Sequence, residues 1–121
     1  MDLIDRLISG KSNENVSRHE KDIRQKYKEL REVVALMQRT SATLENSENW
    51  ALFLEKRQQI KEIIHEGAIL AKEDQRPKVI SIFTSFFLQE CIRPANQIVG
   101  ASHYLVDDCL QAYFEVFWVQ V

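Results

Sequence analysis

Residues 79–121 hold most of the chain's aromatic side chains: Phe83, Phe86, Phe87, Tyr104, Tyr113, Phe114, Phe117 and Trp118. Charges are few there, namely Glu90, Arg93, Asp107, Asp108 and Glu115. A stretch this apolar must leave water, and the first half of the chain is expected to supply the cover. On a wheel at about 100° per residue, Ile98, Ala101, Ser102, Leu105, Val106, Cys109, Leu110, Ala112, Tyr113, Val116, Phe117 and Val119 fill one broad arc. Gln97, Gly100, Asp107, Asp108, Gln111 and Glu115 fall on the remaining strip. A strand, with its period of two, would not sort them this way. The pattern predicts an amphipathic helix with an apolar face wide enough to pack on two sides.

The preceding residues 79–92 are apolar nearly all round, with Ile80, Phe83, Phe87 and Cys91 in one row and Val79, Ile82 and Phe86 in another. Pro77 suits a first helical turn, where no N–H is needed. Pro94 lacks a donor and disfavours helical angles at Arg93, which predicts a kink or sharp corner there and not a full reversal.

Towards the N-terminus, Ile23, Tyr27, Leu30, Val34, Met37, Ser41 and Leu44 alternate steps of four and three, the heptad spacing of a coiled-coil-like seam. Val33 and Leu36 widen it. In the next helix Trp50, Phe53, Ile60, Ile64, Ala68 and Ala71 share a face, and Arg57 projects from its middle. A guanidinium in that place needs a carboxylate or an interface edge. Ser47 or Asn49 can cap this helix. Leu3, Ile4, Leu7 and Ile8 have helical spacing before Gly10, the pattern of a short docking arm.

Three Gly and two Pro in 121 residues leave little material for turns, which favours few long helices over many short strands. The hydrophobic share of 45% and charged share of 28% belong to a globular chain. The expected fold is all-α: a three- or four-helix bundle with a long coiled-coil-like helix and a Pro-kinked C-terminal helix. It forms one helical domain over 1–121, with a docking helix at 1–10 and long helices at 15–46, 49–73 and 78–119, the last broken near 93–94.

Chemistry is harder to find. The net charge of −2 makes the whole molecule no obvious polyanion binder. Cys91 and Cys109 both sit on apolar faces and read as buried thiols. No apolar run is long enough for a bilayer of ~30 Å, and the N-terminal residues do not resemble a signal peptide, so the expected location is cytoplasmic without membrane contact. Glu62 and His65 have the Glu-x-x-His spacing of di-metal bundles, but the wheel turns Glu62 to water and supplies no second copy. Asp107, Asp108 and Glu115 form an acidic strip without the convergent oxygens of a cation site. No catalytic, cofactor-binding or metal-binding residue is assigned, and no cofactor is expected.

The functional expectation is a non-catalytic interaction or assembly module that self-associates, as a dimer, or docks on a partner protein. Ile23, Tyr27, Leu30 and Val34 of the seam and Phe114, Phe117 and Trp118 near the end would carry the contacts. The apolar run 116–121 implies either a buried end or an excerpt of a longer protein. One alternative is nucleic-acid binding by the basic ridge Lys21, Arg24, Lys28, Arg31 and Arg39; the same ridge would equally suit an acidic partner. The other is a metal-dependent bundle enzyme.

Overall fold

The computed structural model describes residues 11–40 and 43–118, with side chains from residue 19 onward in the first helix. The predicted docking arm at 1–10, Ser41 of the seam, and Val119 and Val121 lie outside the described residues. Helix α1 spans Lys11–Thr40, a short 3₁₀ turn covers Leu44–Asn46, and α2 spans Trp50–Asp74. A third rod consists of α3 at Pro77–Phe86, a π-helical turn at Phe87–Ile92 and α4 at Arg93–Asn96. Helix α5 spans Ser102–Phe117. Among the described residues the fold is all-α, four rods packed as a bundle.

The cross-helix pairs give the directions. Lys56 meets Glu29 and Glu66 meets His19, so α2 runs antiparallel to α1. Phe83 packs on Phe117 and Phe87 on Tyr113, so the third rod and α5 also form an antiparallel hairpin. Between these two hairpins the numbering rises together. Arg57, Lys61 and His65 of α2 meet Asp108, Gln111 and Glu115 of α5. Arg24, Tyr27 and Gln38 of α1 meet Glu90, Cys91 and Val99. One core joins all four rods, with Ile23, Tyr27, Leu30, Met37, Phe53, Ile60, Ile64, Phe83, Leu105 and Cys109 almost fully buried.

The helix boundaries have local causes. Helix α1 is described to Thr40, whose hydroxyl donates to the Leu36 carbonyl at 3.2 Å, and Leu44–Asn46, expected at the end of the same helix, form a separate 3₁₀ turn. Ser47 Oγ accepts the Asn49 N–H at 3.1 Å just before α2 begins. Gln75 takes φ 66° to end α2, and Pro77 opens α3 directly after.

The expected irregularity at Pro94 is present, as the π turn Phe87–Ile92 directly before Arg93, and the chain does not reverse there. Arg93 keeps helical angles (φ −59°, ψ −50°), and its N–H donates to the Leu88 carbonyl five residues back. That wider π turn makes room for the Pro94 ring, which would otherwise strike the preceding turn. The reversal occurs at Gln97–Ala101, because Gly100 adopts φ 89°, a left-handed conformation that other residues rarely take. Gln97, Ile98 and Gly100, expected on the last helix, therefore form the corner. Gln38 Nε2 holds it from α1, donating to the Val99 carbonyl at 2.8 Å.

Gly67 lies in the middle of α2, where alanine would ordinarily favour a helix. A Cβ there would come within 2.8 Å of the Phe83 ring, which is hemmed in by Phe86 and Phe117. Gly67→Ala is expected to destabilise the protein by about 1–3 kcal/mol in urea unfolding, overpacking outweighing the helix gain.

Candidate protein interface

The third rod and α5 pair along one seam and leave an outer face to solvent. On the rod, Ile80, Thr84 and Leu88 follow one another at four-residue steps. Thr84 and Tyr113 hydroxyls lie 2.8 Å apart and fix this row beside α5. Leu110, Phe114 and Phe117 continue the face on α5, and the Phe114 and Trp118 rings meet edge-on at 5.5 Å. Leu88 is 54% exposed, Phe114 41% and Trp118 72%. Ile80, Leu110, Tyr113 and Phe117 are half-buried. None of these eight side chains carries a formal charge.

The seven residues expected at an interface separate into two groups. Phe114 and Trp118 are exposed, and Phe117 is half-buried against Phe83 and Tyr113. Ile23, Tyr27, Leu30 and Val34 are not available to another copy: each is 3% exposed or less, inside the chain's own core. The reason is that α2 and the aromatic hairpin together cover this side of α1. Leu88 was not singled out by the sequence reading, because a segment apolar on every side does not reveal which side its neighbours leave open.

Tyr27 has a specific polar role in that core. Its hydroxyl donates to the Cys91 carbonyl at 2.9 Å, beside the π turn, and lies 3.1 Å from Cys109 Sγ. With the phenolic proton committed to the carbonyl, the Cys109 thiol is left to donate to the phenol oxygen. Cys91 and Cys109 are both free and buried, and Cys109 Sγ stands 3.8 Å from the Cys91 carbonyl. Burial pushes the Cys91 thiol well above its ordinary range and the Cys109 thiol up to about 12. Burial, then the nearby thiols, raises Tyr27 as well.

The acidic strip of α5 is not uniformly solvated, as its wheel position had suggested. Asp108 is buried, and Arg57 reaches it with two bonds, Nε to Oδ2 at 2.7 Å and an Nη to Oδ1 at 3.1 Å. The Arg57 guanidinium also sits 4.9 Å from the Tyr104 ring centre and 5.4 Å from that of Phe53. Asp107 and Glu115 remain exposed, and His65 lies 3.8 Å from Glu115. Lys72 Nζ donates to the Val116 carbonyl at 2.8 Å near the end of α5. The strip thus faces α2, where the basic ridge of α1 does not reach it.

On that ridge Lys21, Lys28, Arg31 and Arg39 are exposed. Arg24 instead bonds Glu90 through Nε at 2.8 Å and Glu20 at 2.9 Å. Glu62 is exposed and His65 half-buried on the outer side of α2. Among the described residues no three His, Cys, Asp or Glu side chains converge in a way that could hold a metal ion, and none of the helices is long and apolar enough to cross a membrane. No protein-family model matches the chain, and no curated protein or solved structure does.

Two measurements follow from these groups. Arg57→Met leaves Asp108 buried without its partner and is expected to cost about 3–5 kcal/mol in urea unfolding, while replacing both residues by apolar ones costs less. Unfolded thiols ionise near pH ~8.5, whereas the native thiols stay neutral well beyond that. The stabilisation from the neutral pair is therefore complete below that pH and is lost as pH rises towards about 12 for Cys109. The unfolding midpoint is expected to fall above pH ~8.5, with a shallower fall in Cys109→Ala.

Proposed function

We propose that this chain is a non-catalytic assembly module whose outer face, along Ile80, Thr84, Leu88, Leu110, Tyr113, Phe114, Phe117 and Trp118, is covered by another protein chain, a second copy in the first instance. The observation that carries this reading is the exposure of Leu88, Phe114 and Trp118, with Asp107 the charged side chain on the same stripe of α5. Scattered surface leucines are ordinary, but large apolar side chains exposed on two adjacent helices suit a contact surface. Burying one large aromatic contributes roughly 1.5–3 kcal/mol, so a symmetric contact that uses Phe114 and Trp118 twice supplies part of the apolar area of a dimer. Two reduced, buried thiols suit a cytoplasmic setting.

The exposed Lys21, Lys28, Arg31 and Arg39 support a second reading, contact with a nucleic-acid backbone. Tyr27, the one aromatic near the ridge, is buried, so phosphate contact is all that the ridge offers and base stacking has no platform.

Light scattering at high ionic strength tests the leading reading. The wild-type chain at micromolar concentration is expected at twice its own mass. The exposed-site double variant Leu88→Asp/Phe114→Asp, with unchanged helical circular dichroism, is expected at the monomer mass. A wild-type monomer under these conditions rejects self-association.

A further inference from the structure

Besides its apolar face, the molecule carries two straight charged ridges of opposite sign. On α1, Lys21, Arg24, Lys28 and Arg31 follow the three-and-four spacing of one helix side and at 1.5 Å per residue span about 15 Å, with Arg24 paired to Glu20 and Glu90 and with Glu32 exposed beside Lys28. Arg93, exposed on α4, stands on the same flank, one turn beyond Glu90, the partner of Arg24. On α2, Glu55, Glu62 and Glu66 are exposed along one side and span about 16 Å. Within the chain Glu66 lies 3.6 Å from His19 and Glu62 accepts from Gln58 at 3.4 Å, while Lys56 bonds Glu29 at 2.7 Å and Lys61 bonds Gln111 at 3.1 Å. The basic ridge lies on the side of α1 next to the third rod, whereas the acidic ridge lies on the outward side of α2, so the two do not satisfy each other within one chain. A net charge of −2 conceals this separation.

We propose that the basic ridge of α1 docks on the acidic ridge of α2 of a second copy. The occupant is identified by charge and length: the chain itself presents an opposite ridge of matching span. Because the two surfaces differ, the contact is heterologous: after one contact the first copy still presents its acidic ridge and the second its basic ridge, so assembly proceeds beyond a pair. Exposed ion pairs add little affinity but select partner and register, and salt screens them. This second contact extends the assembly reading and is separable from it, since the apolar contact persists at high ionic strength and the ridge contact does not.

The test is light scattering of the full chain at low and at high ionic strength, with charge reversals on exposed residues. The wild-type mass is expected to rise beyond the dimer at low salt. Lys28→Glu/Arg31→Glu and Glu55→Lys/Glu62→Lys are each expected to weaken that rise at least about tenfold in apparent dissociation constant. All four changes in one chain restore opposite signs and are expected to recover it. A wild-type mass that does not change with salt overturns the proposal. So does a folded quadruple variant that fails to recover. Salt-dependent binding of duplex DNA by wild-type protein that shows no larger assembly makes nucleic acid the occupant of the ridge and equally overturns it.

Discussion

The Tyr27 hydroxyl is where three of the four rods meet through one polar atom. It links α1 to the Cys91 carbonyl of the third rod and to the Cys109 thiol of α5. A buried phenol must be satisfied, and a displacement of α1 along the hairpin would leave it unpaired at a cost of about 1–3 kcal/mol. The junction therefore fixes the register of the covering helix on the aromatic hairpin, which burial of apolar area alone would leave free to slide. The same place absorbs Pro94: the π turn relieves the ring without ending the rod and sets Cys91 opposite Cys109.

A second polar contact fixes the other long interface. Arg57 and Asp108 join α2 to α5 between the rings of Phe53 and Tyr104, and the parallel pairs Lys61–Gln111 and His65–Glu115 continue the alignment outward. With both inner interfaces set in this way, the chain's own helices cover the inside of the hairpin and leave its outside bare. The remaining surfaces differ in chemistry. In the proposed assembly the aromatic face supplies area and the two charged ridges supply direction, so strength and choice of neighbour rest on separate residues.

Much of the architecture was legible in the residues. The 3.6-residue period of the second half, the seven-residue seam of α1 and the Phe53–Ala71 face of α2 all rest on local repetition, and local repetition survives folding. The need of Arg57 for a carboxylate was legible too, because an internal guanidinium has few alternatives. The identity of that carboxylate was not, since it depends on the parallel alignment of α2 with α5. A wheel sorts residues by polarity alone and so placed Asp108 with the solvated Asp107. Pro94 and Gly100 show the same limit. Local rules favour a break at proline, yet a π turn can accommodate the ring, and the one residue able to adopt φ 89° decided where the chain reversed. The seam packs on the chain's own α2 and hairpin, and spacing carries no information about which surface covers it. Exposure of Leu88 and Val99 likewise depends on what the neighbouring rods leave uncovered.

Trp118 reports most directly on whether the bare face is covered by association. In a Trp50→Phe chain it is the only indole, since the sequence contains two tryptophans. Its fluorescence emission should be followed as the protein is taken from nanomolar to micromolar concentration at high ionic strength. The account predicts a water-exposed, red-shifted spectrum when dilute that moves to the blue as copies associate. A spectrum that stays at the water-exposed position across the whole range, from a folded chain, would contradict it.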